Sequence, residues 1–361
     1  MIIWGVRTAL RARRHPAVRG ERTHVKRKTR GAGEQADATE NWYTGPAWRD
    51  RDGRAARRRK RIRIGVAVVI VAAGVVTFAV NPGDIRSKLP GLAGGDAVAK
   101  PLPAETAAPG SAPADEAFPA TPTLKEPFAG SPALRYADGA AGIVPPEAKA
   151  VGRLSKDEVA DVLRKAKELL VDANLNPRTL RGERPAAALD LVDPLQPGTR
   201  QDLEAWLAKP GRDRDPLQLF TRFDPREVRP AGDIVKTRGR MTFKEGRDGA
   251  LAVHADYTFV YPVVRAAQGA SEVTRTVVRR VVDFEVNDPE RFQATPGKLA
   301  LTRYDSDFAN SACEVYDGFL HPQFQDGRPG PMTSGPEVDP YDRSKELSED
   351  ETGHCGTVSR I

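Results

Sequence analysis

Cysteine is nearly absent, with two residues in 361, so the chain cannot be an iron–sulfur protein or a thiolate-built multi-zinc scaffold. Aromatic residues make up only 6%, which fits one modest core better than the two or three domains the length allows. Proline and glycine are plentiful, 30 and 32 residues, but follow no collagen period. No nucleophile elbow, phosphate-binding glycine loop or HExxH motif occurs. Long uncharged apolar runs are also scarce; there is one.

Charge is divided unevenly. Residues 1–63 hold 19 Lys/Arg against 6 Asp/Glu, and the remaining 298 residues hold 37 against 43. The net charge of +7 therefore comes from the N-terminal arm, and the body is acidic.

The apolar run Ile64–Val80 has 17 residues without a charge, about 26 Å as a helix, near the lower limit for crossing a bilayer. Arg57, Arg58, Arg59, Lys60, Arg61 and Arg63 precede it, while only Arg86 and Lys88 follow closely. The positive-inside rule then predicts a single-pass protein of the cell membrane, with residues 1–63 a basic, disordered cytoplasmic arm and the C-terminal body extracytoplasmic. A retained anchor is expected rather than a cleaved signal peptide, because the region before the run is too long for an n-region. The arm's basic clusters can bind anionic headgroups or serve only to set topology; specific nucleic-acid binding is not predicted. Trp42, Tyr43 and Trp48, in NWYTGPAWR, read either as a short motif for a cytoplasmic partner or as an interfacial anchor.

Residues 81–127 are rich in proline and alanine and predict a disordered linker. An extracytoplasmic α+β domain is expected over 128–320. Ser155 and Glu158 form a capping box, and Val159, Val162, Leu163, Ala166, Leu169, Leu170 and Ala173 follow at helical spacing. Short helices are predicted from Pro185 and from a Thr199 cap. Beyond residue 233 the period changes to two, giving strands over 235–243, 251–261 and 273–286 and one beginning at Leu299. A bulge is expected near Arg279-Arg280, where the apolar set changes face.

The expected fold class is α+β: one transmembrane helix, then helices packed on a curved antiparallel sheet. Helices followed by a curved meander resemble the cone of nuclear-transport-factor-2-like, or cystatin-like, domains. With WYTGPAW in the arm and GSPALRYADGAAGIVPPEAKAVGRLSKDEV before the first helix, the whole chain resembles single-pass membrane proteins of Streptomyces-type actinomycetes. That resemblance implies no activity, cofactor or catalytic residue.

Cys313 and Cys355 are expected to pair as a disulfide that ties a loop-rich tail, 321–361, back to the sheet, closing a loop worth roughly 4 kcal/mol. No metal is expected, since His321 and His354 lie near cysteines that form no C-x-x-C pair. His254 and Asp256 share one strand face, as do Asp305 and Asp307. Together they are the best polar constellation for acid–base chemistry or ligand binding inside a cone, but they lie opposite Leu251, Val253, Tyr257 and Phe259 and read as solvent-facing. The row Lys236, Arg238 and Arg240, with Arg275, Arg279 and Arg280, reads as a solvated face or a stripe for an anionic envelope polymer. The function predicted is a non-enzymatic interaction domain presented to the cell envelope, with the membrane and another envelope protein as partners and no cofactor. The alternative is a small-ligand binder or enzyme using His254, Asp256, Asp305 and Asp307.

Overall fold

The capping box forms as predicted. Ser155 Oγ accepts from the Glu158 backbone N–H at 3.3 Å, and the Glu158 carboxylate accepts from the Ser155 N–H at 2.8 Å. It opens α1, Lys156–Asn174, whose periodic apolar side chains are all buried. The computed structural model of the chain describes residues 3–7, 101–109, 121–325, 337–347 and 355–361. The chain divides into two units, one of residues 1–21 and 99–361 and one of residues 22–98; the second lies outside the described residues.

Leu175 caps the end of α1, and Asn176 starts the next helix. Its side chain accepts from the Arg178 N–H and caps α2, Pro177–Leu180, with proline in the first turn, where a missing N–H costs nothing. Then come α3, Ala186–Leu191, and α4, Thr199–Ala208. Thr199 is not the cap of α4. Gly198 occupies that position at φ 78°, a left-handed conformation that side chains disfavour.

The strands are β1 Ile3–Arg7, β2 Ala137–Asp138, β3 Val228–Pro230, β4 Lys236–Glu245, β5 Leu251–Arg265, β6 Thr274–Val286, β7 Ala300–Ala309, β8 Glu337–Val338 and β9 Cys355–Val358. They make one sheet in the order β2-β4-β5-β6-β7-β1-β9-β8, with β3 pairing β5. Every pairing is antiparallel except β8 with β9. The register shift falls between Asp283 and Phe284, not at Arg279-Arg280. Those two arginines simply point to opposite faces, and each is buried. Gly239 lies opposite Tyr257, and a Cβ there would meet the Tyr257 ring at 2.4 Å, so only glycine lets the ring cross β4.

Both faces of the sheet are covered. Odd-numbered residues of β5, from Leu251 to Val263, join the α1 stripe, Leu189, Leu203, Trp206 and Phe220 in the main core. The opposite face carries a smaller cluster: Phe128, Ala133, Tyr136, Val260, Val277, Ala309 and Tyr341. Residues 101–109, placed by the sequence in a linker, help to cover this face; Leu102 N–H donates to Arg135 O at 2.9 Å.

Two expectations are corrected. Among the described residues the fold is sheet-rich with few helices, of which only α1 exceeds ten residues, and not one transmembrane helix followed by helices packed on a curved antiparallel cone. The strand order is an open path, not a closed barrel. The single-pass topology also fails. Among the described residues, no helix is long and apolar enough to cross a membrane. Moreover, β1 lies between β7 and β9, with Trp4 opposite both Ala309 and Gly356. A single crossing at 64–80 would separate these segments by a bilayer, whereas pairing places them on one side. The run 64–80 itself lies outside the described residues, as do Trp42, Tyr43 and Trp48.

Candidate functional site

The predicted polar constellation lies on the sheet face opposite the helices, with Asp256 and Asp305 buried and His254 and Asp307 half-buried. Asp256 receives a two-pronged contact from Arg279, both distances 3.0 Å, and sits 3.3 Å from Arg343 Nη2. Burial alone would raise the Asp256 carboxyl, but the Arg343 and Arg279 guanidiniums outweigh it and hold the group well below the usual carboxylate range. Arg343, its side chain 2% exposed, also donates to Glu105 at 2.8 Å and to Asp256 O at 3.0 Å. His254 Nδ1 meets Asp283 Oδ1 at 2.6 Å. Burial disfavours its imidazolium, yet the Asp283 charge and hydrogen bond raise its pKa. Asp305 pairs with Arg303.

The structure brings His254, Asp256, Asp305 and Asp307 to one face without making them converge. Strand β6 separates the two pairs, about 9.5 Å at the usual strand spacing. Val281 stands opposite Asp256 on one side and Asp305 on the other. Most of the basic row is likewise taken up within the fold; Arg240 is half-buried, its Nε without a partner among the described residues. Lys236 pairs with Asp138, Arg238 with Glu105 and Arg279 with Asp256. Arg275 donates to Ala129 O and Ile361 O, both at 2.7 Å.

These arginines hold down a strap formed by residues 337–347. Arg279 donates to Lys345 O at 2.8 Å, Arg303 to Leu347 O at 2.7 Å, and Tyr341 OH meets Ser131 Oγ at 2.7 Å. Beyond the strap, Cys355 at the start of β9 forms a disulfide with Cys313, the Cα atoms 6.1 Å apart. Among the described residues, no group of three or more His, Cys, Asp or Glu side chains could hold a metal ion.

Arg280 faces the helices and is fully buried. It donates to Asn174 Oδ1 at 2.5 Å, Leu217 O at 2.7 Å and Thr221 Oγ1 at 3.2 Å, with no carboxylate among its partners. Burial lowers its pKa. Tyr261 joins the same knot, donating to Asn174 O at 2.9 Å. The knot ties the end of α1 to β5 and β6.

Sequence reasoning missed a cavity of about 190 Å³ on the outer side of Tyr261, between the α1–α2 corner and β3. Its buried wall is Leu180, Phe223, Val228, Tyr261, Pro262 and Val263. Phe223 and Tyr261 meet edge-on at 5.5 Å. Four prolines line it, Pro177, Pro225, Pro230 and Pro262. They offer no N–H and little freedom to collapse. Polarity is confined to the mouth, where Arg181, Arg229 and Asp233 are exposed beside Ile234, itself 45% exposed. No local signal announces this site, because its prolines come from three separate segments. Comparison with known proteins gives no matching family model, curated protein or solved structure.

Proposed function

We propose that this protein is a binding domain without turnover, and that its ligand site is the proline-walled cavity beside Tyr261. The observation that carries this reading is the division of labour between the two faces. Of the titratable groups best suited to acid–base work, Asp256 and Asp305 are held in buried ion pairs and His254 in a half-buried one, whereas the open concavity is apolar and walled by prolines. Its volume exceeds the ~150 Å³ that accepts a benzene ring in a dry engineered cavity. A ring or branched chain of that size would replace water along walls already fixed by the Arg280 knot, so little ordering is needed on binding.

The test is equilibrium binding of 4-phenylbutanol, a neutral probe with one ring, by calorimetry on the full chain. Saturable binding with one site, lost in the cavity-filling variant Val263→Trp and retained in the distant variant Arg153→Gln, is the expected result. Equal binding by the Val263→Trp variant, or none by the parent chain, sinks the proposal. Chemical conversion of the probe during incubation would count against the non-catalytic part.

A further inference from the structure

The mouth of the cavity is charged unevenly, and this bears on what its ligand carries at the end that stays in water. Arg181 follows α2 and Arg229 lies on β3, so the two guanidiniums come from separate elements that both line the cavity. Neither is used up by its neighbours. Arg181 has Glu183 Oε1 at 3.5 Å, and Glu183 is engaged more closely by Arg178 at 2.7 Å. Among the described residues, Arg229 reaches only the Ala270 carbonyl, at 3.5 Å. Both distances are at the outer limit of a hydrogen bond, so most of the five N–H donors on each side chain remain for a ligand. Among the described residues, Asp233 is the one carboxylate lining the mouth. The wall beneath is apolar, and the Tyr261 hydroxyl is spent on Asn174 and Thr221.

From this arrangement we infer that the ligand is a small amphipathic acid: an apolar ring or branched chain that fills the cavity, and a carboxylate-type anionic head held at the mouth by Arg181 and Arg229. A guanidinium accepts a carboxylate through two parallel hydrogen bonds, which fixes orientation as well as charge. The inference rests on the binding reading above, but adds the chemistry of the head group.

Three probes with one apolar body separate the two statements: 4-phenylbutyrate, 4-phenylbutanol and 4-phenylbutylamine, titrated against the full chain at low salt. The acid should bind at least tenfold more tightly than the alcohol, and the amine more weakly than either. Arg181→Gln and Arg229→Gln should each weaken the acid severalfold and the alcohol much less, so that the acid-to-alcohol ratio falls. Asp233→Asn should tighten the acid. Raising salt should erase part of the acid's advantage without changing the alcohol. Equal affinity for acid and alcohol overturns the anionic-head inference while leaving the cavity reading in place. Binding of none of the three overturns both. The three substituted residues are exposed, so the variants should fold.

Discussion

Asp256 is a carboxylate with two guanidiniums and the strap over it, and removing it leaves Arg279 buried without its counter-charge, while Arg343 keeps only Glu105. Asp256→Ala should therefore cost about 3–5 kcal/mol in urea unfolding, far more than loss of an exposed pair. Arg280 makes a different demand. Its partners are neutral, so its charge is solvated by Asn174, Thr221 and the Leu217 carbonyl alone. Arg280→Ala should cost a similar ~3–5 kcal/mol, from the void and the orphaned acceptors together. A measured loss below about 1 kcal/mol would mean that the knot does not hold α1 to the sheet. His254 gives a pH signature. Asp283 raises its folded pKa above its unfolded value, so the stabilisation is complete below about pH 6.5. It is lost as pH rises through the folded value. Asp256 and Arg303 also face this imidazole. His321, raised by Asp317 and Glu227 against burial, acts in the same direction. Melting temperature should fall between pH 6 and pH 8.5, and His254→Gln should flatten that slope.

At the scale of elements, the helix start is worth testing because both halves of the capping box form: Ser155→Ala should cost about 1 kcal/mol. The disulfide joins the loop after β7 to β9 across 42 residues, and loop-closure arithmetic gives up to roughly 4 kcal/mol. Reduction should speed amide exchange first in β9 and the strap, then in the parts of β6 beneath them; uniform exchange throughout the sheet would count against the strap as a separate element. The elements most legible in the sequence are those defined by neighbours along the chain. The α1 limits follow from Ser155, Glu158 and the apolar spacing, and the long strands follow from their period of two. His254 and Asp256 were misread for a physical reason. Alternation reports that two faces differ, not that one is wet. Here the polar face is covered by segments that bring their own charges, Glu105 from before the domain and Arg343 from near its end. Nothing local to β5 encodes those partners. The cavity was illegible for the same reason, since Pro177 and Pro262 meet only after folding.

For the whole molecule, the two covered faces have separate duties. One stores its charges in pairs that fasten the chain ends; the other keeps a rigid void. Perturbing the first should change stability and leave ligand affinity nearly constant. Arg343→Met, assayed by melting and by probe titration together, should lower the melting temperature without moving the dissociation constant of 4-phenylbutanol, and a parallel loss of affinity would show that the faces are coupled. The placement of β1 carries a consequence for synthesis. Its partners are the end of β7 and the strand β9, some 300 and 350 residues further along. At about 5–20 residues per second, a ribosome delivers β7 roughly 15–60 seconds after β1 has been made. For that interval the first strand lacks both of its hydrogen-bonding neighbours in this sheet, and β9, which closes its far side, follows later still. A chain cut off before β9 is made would thus present β1 as an unpaired edge to whatever lies nearby.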